Sequence, residues 1–174
     1  MPEENLIRLL KGGDRRSLGR ANQIAARVAK NSALFPQLMA GLWSEDPVVC
    51  MRAADAAEKV SRAKPELLRR YKEELLGLLE EAEQQELRWH LALMVPRLPL
   101  NTAERRRAAA ALENYLQDRG SIVKTHALQG LADLAAGQPQ MRQQVIDLLH
   151  ESARSGTAAM RARSRKLLAR LERD

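Results

Sequence analysis

The side chains with the most chemical potential in this chain are three histidines, one cysteine and a set of basic residues that recur along it. His90 and His126 each follow a basic residue, Arg88 and Lys124, by two positions. Two imidazoles are a start on a zinc or acid–base site. On neighbouring helices, whose axes lie roughly 8–10 Å apart, they stand too far apart to share one ion. No third His, Cys or clustered carboxylate joins them at ligand spacing, and His150 falls in a different row. No metal site is expected. Cys50 is the sole cysteine, which rules out an internal disulfide, and its neighbours Val48, Val49 and Met51 mark it as a buried thiol acting as a small hydrophobe. Nucleophilic acyl transfer lacks its Gly-x-Ser-x-Gly turn. Gly12-Gly13 is followed by neither the spaced glycines nor the Lys-Ser/Thr of a phosphate loop. Trp43 and Trp89 are the two rings able to stack on a base, and both fall where a core ring would also sit. Without a catalytic set or a cofactor motif, the reading leans away from an enzyme.

The elements that would hold these residues are helices. Hydrophobic residues make up 45% of the chain and charged residues 29%, the composition of a folded, soluble domain. Aromatics are only 3%, which suits helices packed through Leu, Ala, Val and Met rather than a β-sandwich. Gly, Pro and Asn punctuation delimits about ten helices. The spans read as Glu3–Lys11, Arg16–Lys30, Ala33–Trp43, Val48–Arg62, Glu66–Glu83, Glu86–Val95, Ala103–Gln117, Ser121–Ala136, Met141–Arg154 and Ala158–Arg173. Asp46-Pro47 supplies a cap and a first helical residue that needs no amide partner. Asn101 with Glu104 has the spacing of a capping box, and Pro96 is expected to cut its helix short or kink it. Met1-Pro2-Glu3-Glu4-Asn5 lacks the charged-then-apolar plan of a secretory leader. No apolar run approaches a membrane span, so a cytoplasmic location is expected.

Arg20, Arg52, Arg88, Lys124 and Arg161 are separated by 32, 36, 36 and 37 residues, each inside the same kind of helix. Such a period marks stacked two-helix units, none of which can bury its own apolar stripe. Four residues after the basic position stand Ile24, Ala56, Ala92 and Leu128; Arg165 breaks the rule. Six residues before it stand Asp14, Asp46 and Asp118. The run Asp46-Pro47-Val48-Val49-Cys50-Met51-Arg52-Ala53-Ala54-Asp55-Ala56-Ala57 resembles the HEAT-repeat family, whose turn Asp and helix Arg tend to form a ladder between adjacent units. The departure comes at Trp89 and Pro96. The resemblance implies an all-α, right-handed α-α superhelix, an armadillo-like solenoid of about ten helices in four to five pairs, over a single domain, 1–174. The ladder residues Asp14, Asp46, Asp118, Arg20, Arg52 and Lys124 are then structural.

That architecture carries two functional expectations. The first is a scaffold that binds a protein or peptide partner along a concave wall of second helices, lined by Gln23, Arg27, Asp55, Glu58, Lys59, His90, Met94 and His126. The second, the alternative, follows from charge. The chain carries a net charge of +7. Residues 51–100 balance nine basic against nine acidic groups, while residues 151–174 hold seven basic and three acidic. Arg161, Arg163, Arg165, Lys166, Arg170 and Arg173 crowd the last helix as a candidate patch for an anionic partner, nucleic acid included. Some alkylpurine DNA glycosylases use stacked HEAT-like helices with a basic concave face, though their aromatic-plus-carboxylate pocket motif is not found here. Arg105-Arg106-Arg107 also stands out, because positive charge early in a helix opposes its dipole.

Overall fold

The computed structural model describes residues 5–173, and among them ten α-helices are joined by turns and short 3-10 segments, with no strand. The expected opening helix begins at Glu3, which with Glu4 lies outside the described residues. The chain divides into two compact units, Met1–Lys72 and Glu73–Asp174.

The first unit holds α1 (Leu6–Leu10), α2 (Ala21–Lys30), α3 (Phe35–Ala40) and α4 (Pro47–Ala63). Helix α4 is its centre and packs on α1, α2 and α3. Asp46 caps it, accepting from the amides of Val48 and Val49 at 2.9 and 3.4 Å, with Pro47 in the first turn. Leu6, Leu10, Ile24, Val28, Phe35, Leu38 and Val60 fill the core around it. Gly41 allows a close approach here, since a Cβ at that position would fall 2.5 Å from the Cβ of Ala53 on α4. Cys50 is buried, its thiol directed at the Leu42 carbonyl, 3.3 Å away.

Three expected helices are shorter than their sequence spans. Ala33–Trp43 is α-helical only over Phe35–Ala40, between 3-10 turns at Ser32–Leu34 and Gly41–Trp43. The stretch from Arg16 to Arg20 is turn, and α2 starts only at Ala21. Gly19 sits at φ +51°, and a Cβ there would lie 2.8 Å from the guanidinium carbon of Arg52. A left-handed residue with an arginine against it stops a helix from starting earlier. Pro65–Tyr71 is a 3-10 segment rather than the first half of a long α-helix. Three residues per turn puts Leu68 and Tyr71 on one edge. Leu68 is buried, and the Tyr71 ring meets Phe35 edge-on at 6.1 Å.

The second unit holds α5 (Lys72–Glu81, its first residue at the boundary), α6 (Gln85–Met94), α7 (Thr102–Tyr115), α8 (Ser121–Ala135), α9 (Pro139–Ser155) and α10 (Ala158–Leu171). Pro96 lies in a 3-10 turn directly after α6, so the proline ends the helix as its chemistry requires. The Asn101–Glu104 capping box starts α7 with both of its bonds at 2.8 Å. Helix α8 is the centre, packed on α6, α7, α9 and α10. Gly130 brings α8 hard against α6, where a Cβ would sit 2.5 Å from the Ala92 carbonyl oxygen.

Candidate interaction surface

Two of the five recurring basic residues, Arg52 and Arg88, do structural work, each in a different way. Arg52 is only 3% exposed. Its guanidinium donates to four backbone carbonyls of the chain between α1 and α2. Nη1 reaches Leu10 at 2.8 Å and Gly12 at 2.6 Å, Nε reaches Ser17 at 3.0 Å, and Nη2 reaches Asp14 at 3.3 Å. Asp14 therefore meets Arg52 through its carbonyl, while its carboxylate accepts from the Arg16 amide in a local turn. Arg88 uses a carboxylate instead: Nη1 donates to Asp118 at 2.7 Å, and Nε donates to the Ala82 carbonyl at 2.6 Å. Gln85 and the Gly120 amide complete the cage around Asp118, both bonding Oδ1. Burial pushes the Asp118 carboxyl upward, but the Gly120 amide, Arg88 and Gln85 outweigh it and hold it below the usual carboxylate range.

The second helices of the repeat are adjacent within each unit. In the first, α2 lies on α4; in the second, α8 lies between α6 and α10. Polar links join them at separations close to the sequence period. Lys59 donates to Asn22 at 2.5 Å across 37 residues, and also to Asp55 at 2.6 Å. Arg163 donates to Gln129 at 2.8 Å across 34 residues, and Arg170 to Asp133 at 2.9 Å across 37. Asn22, Gln129 and Asp133 were missed as partners, although their distance from the basic residues matched the repeat.

The wall residues expected from sequence fall into two groups. Gln23 and Arg27 are exposed on α2, and Lys59 and His126 are half-buried. The others do not form an open wall. Met94 is fully buried in the second unit's core. Glu58 is 2% exposed and accepts from Nε and Nη2 of Arg62, at 2.8 and 2.6 Å. Asp55 is buried behind Lys59. His90 is also buried, and both ring nitrogens are occupied. The Trp89 indole donates to Nε2 at 3.2 Å, so Nδ1 carries the hydrogen that meets the Glu86 carbonyl at 2.6 Å. The ring is a packing group, and Trp89 is its neighbour rather than a free stacking platform. His126 directs Nδ1 at the Ile122 carbonyl, 2.8 Å away. Among the described residues, no three His, Cys, Asp or Glu side chains gather where an ion would sit.

The basic residues of α10 also divide. Arg161, Arg165 and Lys166, with Arg173 in the turn after the helix, are exposed, whereas Arg163 and Arg170 are the half-buried links to α8. Of the three consecutive arginines on α7, Arg105 donates to the Leu134 carbonyl at 3.0 Å. Arg107 forms a two-bond pair with Glu80 at 2.6 and 2.7 Å, which holds Glu80 below its ordinary range. Arg106 is exposed and carries no such bond among the described residues. Beside the Arg107–Glu80 pair lies a cleft of about 390 Å³ walled by Leu79, Arg88, Ala111, Asn114 and Tyr115. The Tyr115 hydroxyl donates to the Leu79 carbonyl at 2.5 Å and the Arg88 guanidinium lies over its ring at 5.1 Å. Burial pushes this phenol well above its ordinary value. Exposed apolar groups are few but large: Trp43 is 44% and Ile122 52% exposed.

No helix is long and apolar enough to cross a membrane among the described residues. No protein-family model matches the chain, and no curated protein matches it.

Proposed function

We propose that the chain is a HEAT-like scaffold, a right-handed stack of helix pairs that binds a protein or peptide along its row of second helices. The observation that carries this reading is the set of polar links between successive second helices, Lys59–Asn22, Arg163–Gln129 and Arg170–Asp133, at separations of 34–37 residues. A repeat whose equivalent helices pack on one another is how a solenoid builds a continuous surface from units that cannot fold alone. Gln23, Arg27, Lys59 and His126 are the row residues with side chains at the surface. Ile122, 52% exposed on α8, adds the kind of large apolar contact on which interfaces concentrate binding energy.

Site-specific photo-crosslinking in cells tests this. A photoreactive residue at Gln23, Arg27 or His126 is expected to capture one common partner, and the same residue at Gln143 on α9 is expected to capture none of it. Equal capture from both rows removes the reading.

A second reading, binding to a nucleic-acid backbone, is favoured by the exposed Arg161, Arg165 and Lys166 of α10 and Arg173 just after it. Each neutralised phosphate releases counterions, so affinity must fall steeply with salt. Duplex DNA that causes no shift at low salt eliminates this alternative.

A further inference from the structure

The groove between the starts of α7 and α9 gathers cations and amides without an acid. A cleft of about 170 Å³ there is lined by Arg105, Arg106 and Thr102 from α7, and by Gln138, Gln140 and Gln144 from the start of α9, with Met141 as its one apolar wall. No carboxylate lines it. Each of the other clefts described either contains a carboxylate or holds a single cation.

The groups that line this cleft are donors with capacity to spare. Arg106 is exposed and makes no hydrogen bond or ion pair among the described residues. Arg105 is anchored by one nitrogen on Leu134, which fixes its guanidinium at the cleft while leaving other N–H groups. Each glutamine amide brings two further donors. Gln144 spends one on Glu113, at 3.2 Å, a carboxylate that lies outside the lining. Gln138 precedes α9 without folding a side chain over its first turn, and Pro139 follows it. The positive end of α9 therefore adds to the same field.

We propose that this cleft binds a phosphate group, either as the free anion or as a small phosphate monoester. Two guanidiniums and several amide donors match the many acceptor oxygens of a tetrahedral anion better than a carboxylate. Arg106 supplies the uncommitted charge, Arg105 the fixed fork, and Met141 the surface for the carbon of an ester. The run of three arginines early in α7 is explained as one structural pair, one anchor and one ligand group.

Isothermal titration calorimetry on the full chain, at constant ionic strength, tests this with three probes: inorganic phosphate, ethyl phosphate and acetate. Phosphate is expected to give a saturable one-to-one isotherm. Arg106→Gln, at an exposed position, is expected to weaken it by about tenfold; Arg165→Gln on α10, equal in charge change, leaves it within about twofold. Ethyl phosphate binding tighter than inorganic phosphate identifies a monoester, and equal or weaker binding identifies the free anion. Absence of a saturable isotherm with both phosphates, acetate binding as tightly as phosphate, or equal losses in the two variants overturns the proposal.

Discussion

A single arginine shows how far residue type predicts role. Arg52 was legible as a repeat anchor from its period and from its place behind Asp46-Pro47. What it holds was not legible, because a guanidinium serves carbonyls and carboxylates alike, and sequence names no backbone partner. It secures the loop from Leu10 to Ser17 by four bonds. Arg52→Ala is expected to cost about 3 kcal/mol in urea denaturation, since the buried Leu10 carbonyl and three partly buried ones lose their donor at once. Arg52→Lys is expected to recover less than half, because a point charge cannot reach four acceptors in a fork. Asp118 makes a pH-dependent counterpart. Its folded-state pKa is depressed, so the unfolded state binds the proton more readily. The stability it contributes is fully present above the unfolded-state value of about 4. It is lost as pH falls through the lower folded-state value. Asp118→Asn is expected to lose about 2 kcal/mol at neutral pH and to flatten the stability profile across that acidic window. A variant whose acid profile parallels that of the unmodified protein shows that the Arg88–Asp118 pair is not the source.

Caps and breakers were the most readable parts of the elements, because they act through bonds to near neighbours. Asp46, Asn101 with Glu104, and Pro96 all sit where their local chemistry predicts. Asn101→Ala is expected to lower stability by about 1 kcal/mol, read as a shift in denaturation midpoint without a change in slope. The elements misread from sequence are those decided by a distant side chain. Arg52 against Gly19 delays α2, and Phe35 against Tyr71 accompanies a 3-10 segment where a continuous helix was expected. Glycine inside a helix pattern is likewise ambiguous until its neighbour is known. Gly130 lies where α8 meets the α6 backbone. Gly130→Ala gains helix propensity worth up to about 1 kcal/mol, yet is expected to destabilise by about 2 kcal/mol, because overpacking at a backbone contact dominates. Gly77, with open space around its Cβ position, is the control, and Gly77→Ala is expected to stabilise its helix.

At the scale of the molecule, the period of the basic residues was readable before any coordinate, and so was the all-helical class. The wall was only partly readable. A residue flanking the apolar stripe of a helix is as often covered by the next layer as left open, which is why Met94, Glu58 and His90 are buried while Gln23 and Arg27 are not. Nothing in a repeat encodes its partner, since the same stack presents any side chains the outer positions carry. The central claim of the proposed scaffold is testable inside the second unit, where α8 lies between α6 and α10. Pulsed electron spin resonance on a Cys50→Ala background tests it, with one spin label fixed at Lys166 on α10 and a second placed in turn at His126 on α8 and Leu93 on α6. A layered row predicts that the distance lengthens from His126 to Leu93, by about 10 Å for the layer crossed. A distance from Lys166 to Leu93 no longer than that from Lys166 to His126 would mean a closed bundle and contradict it.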